Sequence, residues 1–251
     1  MKCRICNNKT THIFNGVLLS FKVSYFECNN CQYVQTEFPY WLDLAYKDPI
    51  NKSDTGIIVR NLSNIDVVFS VVKLLKLNNP IILDYAGGFG LLVRMLRDKG
   101  LNAYWSDRYC KNIVANGFEY RKGDIDLITG FECIEHFENP IYELNEMFKK
   151  SKNILLSTEL IKHPAPSQKD WWYYGQEHGQ HIGFFRVRTF EYIAKEKNKF
   201  YTNLGPYHLL SENPCSKLLW KSLLKIVKLK IIKKIIYKKS KTWQDHLDNS
   251  F

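Results

Sequence analysis

The chain has 251 residues, 45% hydrophobic and 24% charged, with 36 Lys and Arg against 25 Asp and Glu. That length holds one full-sized core plus an appendage, and 14% aromatics exclude global disorder and low-complexity classes. No apolar run reaches the roughly 18–20 residues of a membrane span, Met1–Cys6 shows no signal-peptide pattern, and a cytoplasmic protein is expected.

In chain order, residues 1–36 read as short β-hairpins around Cys3-x2-Cys6 and Cys28-x2-Cys31. Two such knuckles bring four thiolates tetrahedrally onto Zn2+. With Cys at all four positions no site stays open for water, so this zinc is expected to be structural. Cys110, Cys133 and Cys215 are scattered and read as small apolar residues. Residues 37–50 form an aromatic connector with Phe38, Tyr40, Trp41 and Tyr46. From Asp54 to Leu77, apolar residues recur at helical spacing, with Asp54 as N-cap and Asn78-Asn79-Pro80 as the stop.

Alternation of strand and helix follows. Strands are expected at Ile81–Asp84, Asn102–Ser106, Asp126–Thr129 and Asn153–Thr158, and helices at Leu91–Lys99, Pro140–Lys150 and Thr189–Lys197. A long aromatic loop begins after Glu159, and antiparallel strands are expected around Tyr207–Leu210. The pattern is that of an α/β fold, a mostly parallel sheet with helices on both faces.

Asp84-Tyr85-Ala86-Gly87-Gly88-Phe89-Gly90 lies at the first strand-to-helix turn, where glycines let the backbone approach a ligand. Asp107 ends the next strand, where a carboxylate can accept from both hydroxyls of a ribose. The spacing is compatible with NAD but departs from the dinucleotide fingerprint.

This turn resembles the nucleotide loop of class I S-adenosylmethionine-dependent methyltransferases. Phe131-Glu132-Cys133-Ile134-Glu135-His136 with Asn139-Pro140 is similar to that family's segment after the fourth strand. Asp54-Thr55-Gly56, Arg60-Asn61 and the block Trp171–His181 resemble methyltransferases of surface-polysaccharide biosynthesis, several of which begin with a cysteine-rich zinc segment. The resemblance implies a Rossmann-like, seven-stranded-type sheet with an N-terminal zinc ribbon-like segment. It implies S-adenosylmethionine as co-substrate, bound by Asp84, Gly87, Gly88, Gly90, Asp107, Phe131 and Glu132. It further implies methylation of an oxygen on a sugar, nucleotide-sugar or other precursor of capsule or lipopolysaccharide. Transfer to carbon, nitrogen or a phosphate-type oxygen is the alternative, and a non-catalytic zinc-ribbon binding module is the contrasting class.

An alcohol acceptor must lose a proton, and histidine is the usual base. His178 beside Glu177 is the first candidate, then His181, with His136 in reserve. Simple hydrogen bonding of these histidines within the loop is the rival reading. Trp171, Trp172, Tyr173 and Tyr174 suit the faces of a sugar or a core.

Charge is localised at the C-terminal end. Residues 217–241 hold ten lysines and no acidic residue, leaving 26 basic and 25 acidic residues elsewhere. A near-neutral body excludes a duplex-reading surface. The basic stretch is amphipathic, and either packs on the body with its lysines solvated or lies on the inner face of an anionic membrane. Three parts are expected: a zinc segment at 1–36, the methyltransferase domain at 37–214 and the basic tail at 215–251.

Overall fold

The computed structural model describes residues 1–47, 49–50 and 54–250. Its main body is a six-stranded sheet built from β4 (Ile81–Tyr85), β5 (Asn102–Ser106), β6 (Leu127–Phe131), β7 (Ile154–Ser157), β9 (Phe200–Leu204) and β10 (Tyr207–Ser211). The order is β5-β4-β6-β7-β10-β9. The first four strands are parallel, and β10 runs antiparallel to both β7 and β9. Continuous apolar burial at Ile154, Leu155 and Leu156 shows why these segments lack alternation: both faces of the sheet are covered. Beyond β5, among the described residues, one parallel bridge, Trp105 to Glu119, extends the sheet on that side.

The covering helices are α2 (Ile57–Leu74), α3 (Leu91–Asp98), α4 (Pro140–Phe148) and α5 (Val187–Glu196). Helix α4 begins as the sequence indicates, with Pro140 in its first turn and the Asn139 side chain accepting from Tyr142 N. Helix α2 does not begin as expected. Its N-cap is Gly56, and the Asp54 carboxylate pairs with the Arg60 guanidinium at 2.6 Å instead of capping.

A second sheet orders β1 (Thr10–Leu18), β2 (Phe21–Cys28), β3 (Val34–Thr36) and β8 (Gly183–Phe184). Its last strand comes from the loop after β7, so the N-terminal hairpins and that loop share one sheet. Half-buried Arg4 fastens the joint, donating to the carbonyls of Ile182 (3.1 Å), Thr36 (2.9 Å) and Glu37 (2.6 Å). Arg186 adds a fork onto both carboxylate oxygens of Glu27, at 2.6 and 3.1 Å. The short helix α1 (Leu42–Ala45) packs into this small core through Leu42 and Ala45.

The basic stretch forms α6 (Lys217–Lys228) and α7 (Lys230–Ile236), followed by α8 (Thr242–Ser250). Of its two readings, the inner face takes the packed one. Trp220 is wholly buried in the main core and donates to Ser70 Oγ of α2 at 3.0 Å. Lys233 pairs with Asp66 at 2.7 Å, and Asp245 binds Arg97 at 2.5 Å and Arg94 at 2.7 Å. No helix among the described residues is long and apolar enough to cross a membrane.

Candidate active site

A cleft of about 1600 Å³ opens at the carboxyl ends of β4, β5, β6 and β7. This is where the strand order of an open α/β sheet places a ligand. Small-molecule pockets usually measure about 300–1,000 Å³, so this cleft has room for two ligands side by side.

The glycine turn forms one wall. Ala86, Gly88 and Gly90 all take left-handed backbone, at φ 57°, 55° and 88°. A Cβ on Gly87 would lie 2.9 Å from the Asp84 carboxylate and the Trp105 ring. Gly87 and Gly88 line the cleft, whereas Gly90 faces Asn112 and Ala115 behind the turn. Asp107 knits this wall together, accepting from Gly88 N (2.9 Å), Tyr109 N (2.7 Å) and Cys110 N (2.8 Å). Asp84 is buried beneath the turn and accepts from Thr129 Oγ1 at 2.7 Å. Burial pushes its carboxyl up to about 7.

The opposite wall carries the acid–base groups. Phe131 ends β6, and Glu132 follows in left-handed backbone at φ 49°, a strained state for a side-chain-bearing residue. Its Oε1 accepts from Ser157 Oγ (2.6 Å) and its Oε2 from Tyr173 OH (2.9 Å). The same hydroxyl lies 2.5 Å from Oε1 of the fully buried Glu135. Tyr173 thus stands between two carboxylates, and burial together with Glu132 holds the Glu135 carboxyl well above its usual range.

Three imidazoles adjoin this group. His136 contacts Tyr46 OH through Nδ1 at 3.1 Å, and its ring meets His181 edge to face at 4.8 Å. His181 Nδ1 lies 2.6 Å from the carbonyl oxygen of Tyr173. A carbonyl only accepts, so Nδ1 carries the proton and Nε2 keeps its lone pair free. His178 is the reverse case: its Nδ1 accepts from Gln180 N at 3.1 Å, which leaves the neutral ring's proton on Nε2. Burial lowers all three, His181 to about 3, so each is neutral at pH 7. Glu177 is exposed on the rim.

The expected aromatic wall divides. Tyr173 and Tyr174 are fully buried, Tyr174 packing on Phe14, Tyr25 and Phe184, while Trp172 is 78% exposed and lines the cleft. The sequence presents Tyr173 only as an aromatic face and does not mark Tyr46 or Ser157 as site residues. An aromatic block hides a tyrosine whose hydroxyl matters, and only the partners Glu132 and Glu135 reveal it.

Outside the lining of the cleft, the four cysteines converge. Cys3 and Cys31 sulfurs lie 3.6 Å apart, Cys6 and Cys28 3.3 Å, and all four within 4.8 Å. Sulfurs held 2.3 Å from a central zinc stand about 3.8 Å apart, so the set fits that ion. Backbone N–H groups of Ile5 and Asn30 point at Cys3 Sγ (3.3 Å) and Cys28 Sγ (3.4 Å).

The chain matches the family described as "Methyltransferase domain" over residues 65–198, more than half its length. It belongs to that family. The enzyme is an S-adenosylmethionine-dependent methyltransferase with a Rossmann-like fold. Among solved structures it is similar to magnesium protoporphyrin IX methyltransferase from Synechocystis PCC 6803 with bound SAH, at 12% identity, 69% of this chain, 94% of that one and TM-score 0.43. It is also similar to the plantazolicin methyltransferase BpumL in complex with a desmethylPZN analogue and SAH, at 15% identity, 77% and 86% coverage and TM-score 0.48. An O-methyltransferase family protein from Burkholderia thailandensis aligns at 15% identity, 59% and 55% coverage and TM-score 0.40. No curated protein matches the sequence.

Proposed function

We propose that this methyltransferase methylates an oxygen of a sugar, nucleotide-sugar or substituent of a cell-surface polysaccharide precursor. The observation that carries the reading is the free Nε2 lone pair of His181 on the wall of a cleft roomy enough for donor and acceptor together. Exposed Trp172 at the same cleft offers an apolar ring to a sugar face.

In this reading, Gly87 and Gly88 admit the methionine half of S-adenosylmethionine, with Asp84 beneath them. Asp107 holds the ribose, while Phe131 and Glu132 border the donor from the β6 side. Gly90 acts behind the turn, setting its shape. The co-substrate supplies an activated methyl group on a sulfonium. The acceptor oxygen forms the new bond to carbon, the carbon–sulfur bond breaks with its electron pair kept by sulfur, and the hydroxyl proton leaves. His181 Nε2 is placed to accept that proton, and His136 and His178 pack against its ring. Because Nδ1 of His178 is engaged by Gln180, the preference moves from His178 to His181.

Cys3, Cys6, Cys28 and Cys31 hold a structural zinc that stiffens residues 1–36, joined through β8 to the methyltransferase body of 37–214. The chain works in the cytoplasm, and the outer face of residues 215–251 meets the inner face of the membrane. The test is calorimetry with S-adenosylmethionine, followed by transfer of labelled methyl to a panel of sugar nucleotides and glycan lipids. Micromolar binding with label appearing on a sugar oxygen is expected. Label on protein, nucleic acid or no acceptor overturns the assignment.

A further inference from the structure

The geometry points to a divalent cation site formed by Glu135, His136 and His181 at the acceptor end of the cleft. Each offers one ligand atom, and these three atoms lie within 4.8 Å of one another. Glu135 has no exposed surface, and its Oε2 has no hydrogen-bond partner among the described residues. A buried carboxylate oxygen without a partner is costly, and a cation ligand satisfies it. His181 contributes Nε2, the atom left free by the bond from Nδ1 to the Tyr173 carbonyl. That bond is the outer support that metal-bound histidines ordinarily show, fixing tautomer and ring direction. Tyr46 OH adjoins Nδ1 of His136 at 3.1 Å, and where that hydroxyl accepts, the ring turns a free Nε2 toward Glu135, 4.0 Å from its Oε1.

Charge argues the same way. Tyr173 OH is shared by Glu132 and Glu135, so two carboxylates meet at one hydroxyl. A divalent ion held between them and the two imidazoles would let both acids stand ionised. Ligands at 2.0–2.2 Å from one centre stand about 3–4 Å apart, so the farthest donors close by about 1–2 Å on binding. Two nitrogens and an oxygen suit Mn2+, Co2+, Fe2+ or Zn2+ rather than Ca2+. The site is chemically distinct from the thiolate cluster, and its two histidines line the cleft above the buried Glu135.

This inference rests on the methyl-transfer reading and revises one role in it: His181 Nε2 serves as a metal ligand in place of the base. The acceptor hydroxyl binds the ion, which lowers the cost of losing its proton. The proton then leaves to water instead of to His181, as oxygen bonds to the methyl carbon and sulfur keeps the electron pair. Glu135 and the two histidines thereby become ligands that position the acceptor.

The experiment is titration of the zinc-loaded full chain with Mn2+, followed by electron paramagnetic resonance, with S-adenosylmethionine affinity measured separately by calorimetry. One Mn2+ per chain is expected, with nitrogen modulation of its spin echo from imidazole. Glu135→Gln and His181→Gln each weaken Mn2+ binding at least tenfold while leaving S-adenosylmethionine affinity within about twofold. Absence of binding below 1 mM, on the order of the weakest useful affinity, overturns the site. So does bound Mn2+ without nitrogen modulation, which needs no folded variant to read. If Mn2+ binds with imidazole but S-adenosylmethionine does not, the cation site stands and the methyl-transfer reading falls. The converse result sinks the site alone.

Discussion

Asp107 carries the most defined single-residue role in the cleft. Three backbone N–H groups already bind its two oxygens, at 2.7–2.9 Å, so the carboxylate shapes the glycine wall before any ligand arrives. Lone pairs remain for ribose hydroxyls, because a carboxylate offers about four acceptor directions. Asp107→Ala removes the brace of the glycine wall together with the proposed ribose contact, and S-adenosylmethionine affinity should fall by about 1.5–3 kcal/mol. Unchanged calorimetric binding would reject the ribose assignment. Asp84 gives a pH signature. Its carboxyl is raised by burial to about 7, above the value it has in an unfolded chain. A raised carboxyl favours the folded state when protonated, so stability contributed by the neutral form is present at low pH. It is lost as pH climbs from about 4, the unfolded value, through 7. Asp84→Asn removes that loss. Thermal melting of the donor-free protein should show the variant gaining on wild type between pH 4 and 8, by at most about 4 kcal/mol. A constant difference across that range would mean Asp84 titrates normally.

At the scale of elements, the pairing of β3 with β8 links a cysteine-bearing segment to the loop that carries His181. Only Val34 with Phe184 and Gln35 with Gly183 make the pairing, and Arg4 and Arg186 brace it. The segment is too small to hold a core unaided, so the metal should supply much of its folding free energy. Chelation of zinc should therefore raise hydrogen exchange in residues 173–184 and reduce methyl transfer, with S-adenosylmethionine affinity nearly unchanged. Loss of donor binding in step with zinc would place the coupling elsewhere. The same elements show what a sequence discloses. Strands β4, β5 and β7 and helices α3, α4 and α5 stood out, because each has its own period, turn glycine or proline. The two-residue strand β8 did not, since its partner lies some 150 residues earlier and two residues carry no period. Asp54 was misplaced as a cap because its pairing with Arg60 cannot be seen from spacing alone. Within the cleft, the glycine turn and the segment Phe131–His136 were visible as motifs. Tyr173 was not, because its neighbours Trp171, Trp172 and Tyr174 make it look like packing.

The whole molecule presents a near-neutral body with a basic, two-faced edge. The inner face is structural: Trp220 and Val227 are wholly buried against the main core, so Trp220→Ala should destabilise by about 3–5 kcal/mol. Deleting residues 217–251 should then lower the melting temperature and not leave the body untouched. The outer face is another matter. Leu218, Ile231 and Ile235 are 78%, 77% and 75% exposed, among lysines with no acidic residue between 217 and 241. Isolated exposed apolar side chains mean little, but Ile231 and Ile235, four residues apart on one helix amid one sign of charge, match an anionic lipid surface. Each lysine near such a surface adds about 1 kcal/mol, screened over about 10 Å at 0.1 M salt. Co-sedimentation with phosphatidylglycerol vesicles should therefore be weak at physiological salt, strengthen at low salt and fail with neutral vesicles. The double variant Ile231→Glu, Ile235→Glu leaves the buried Trp220 face alone, so it should keep its melting temperature and S-adenosylmethionine binding while losing the vesicles. Vesicle binding that survives this variant, or is equal on neutral lipid, would show that the outer face only solvates its lysines.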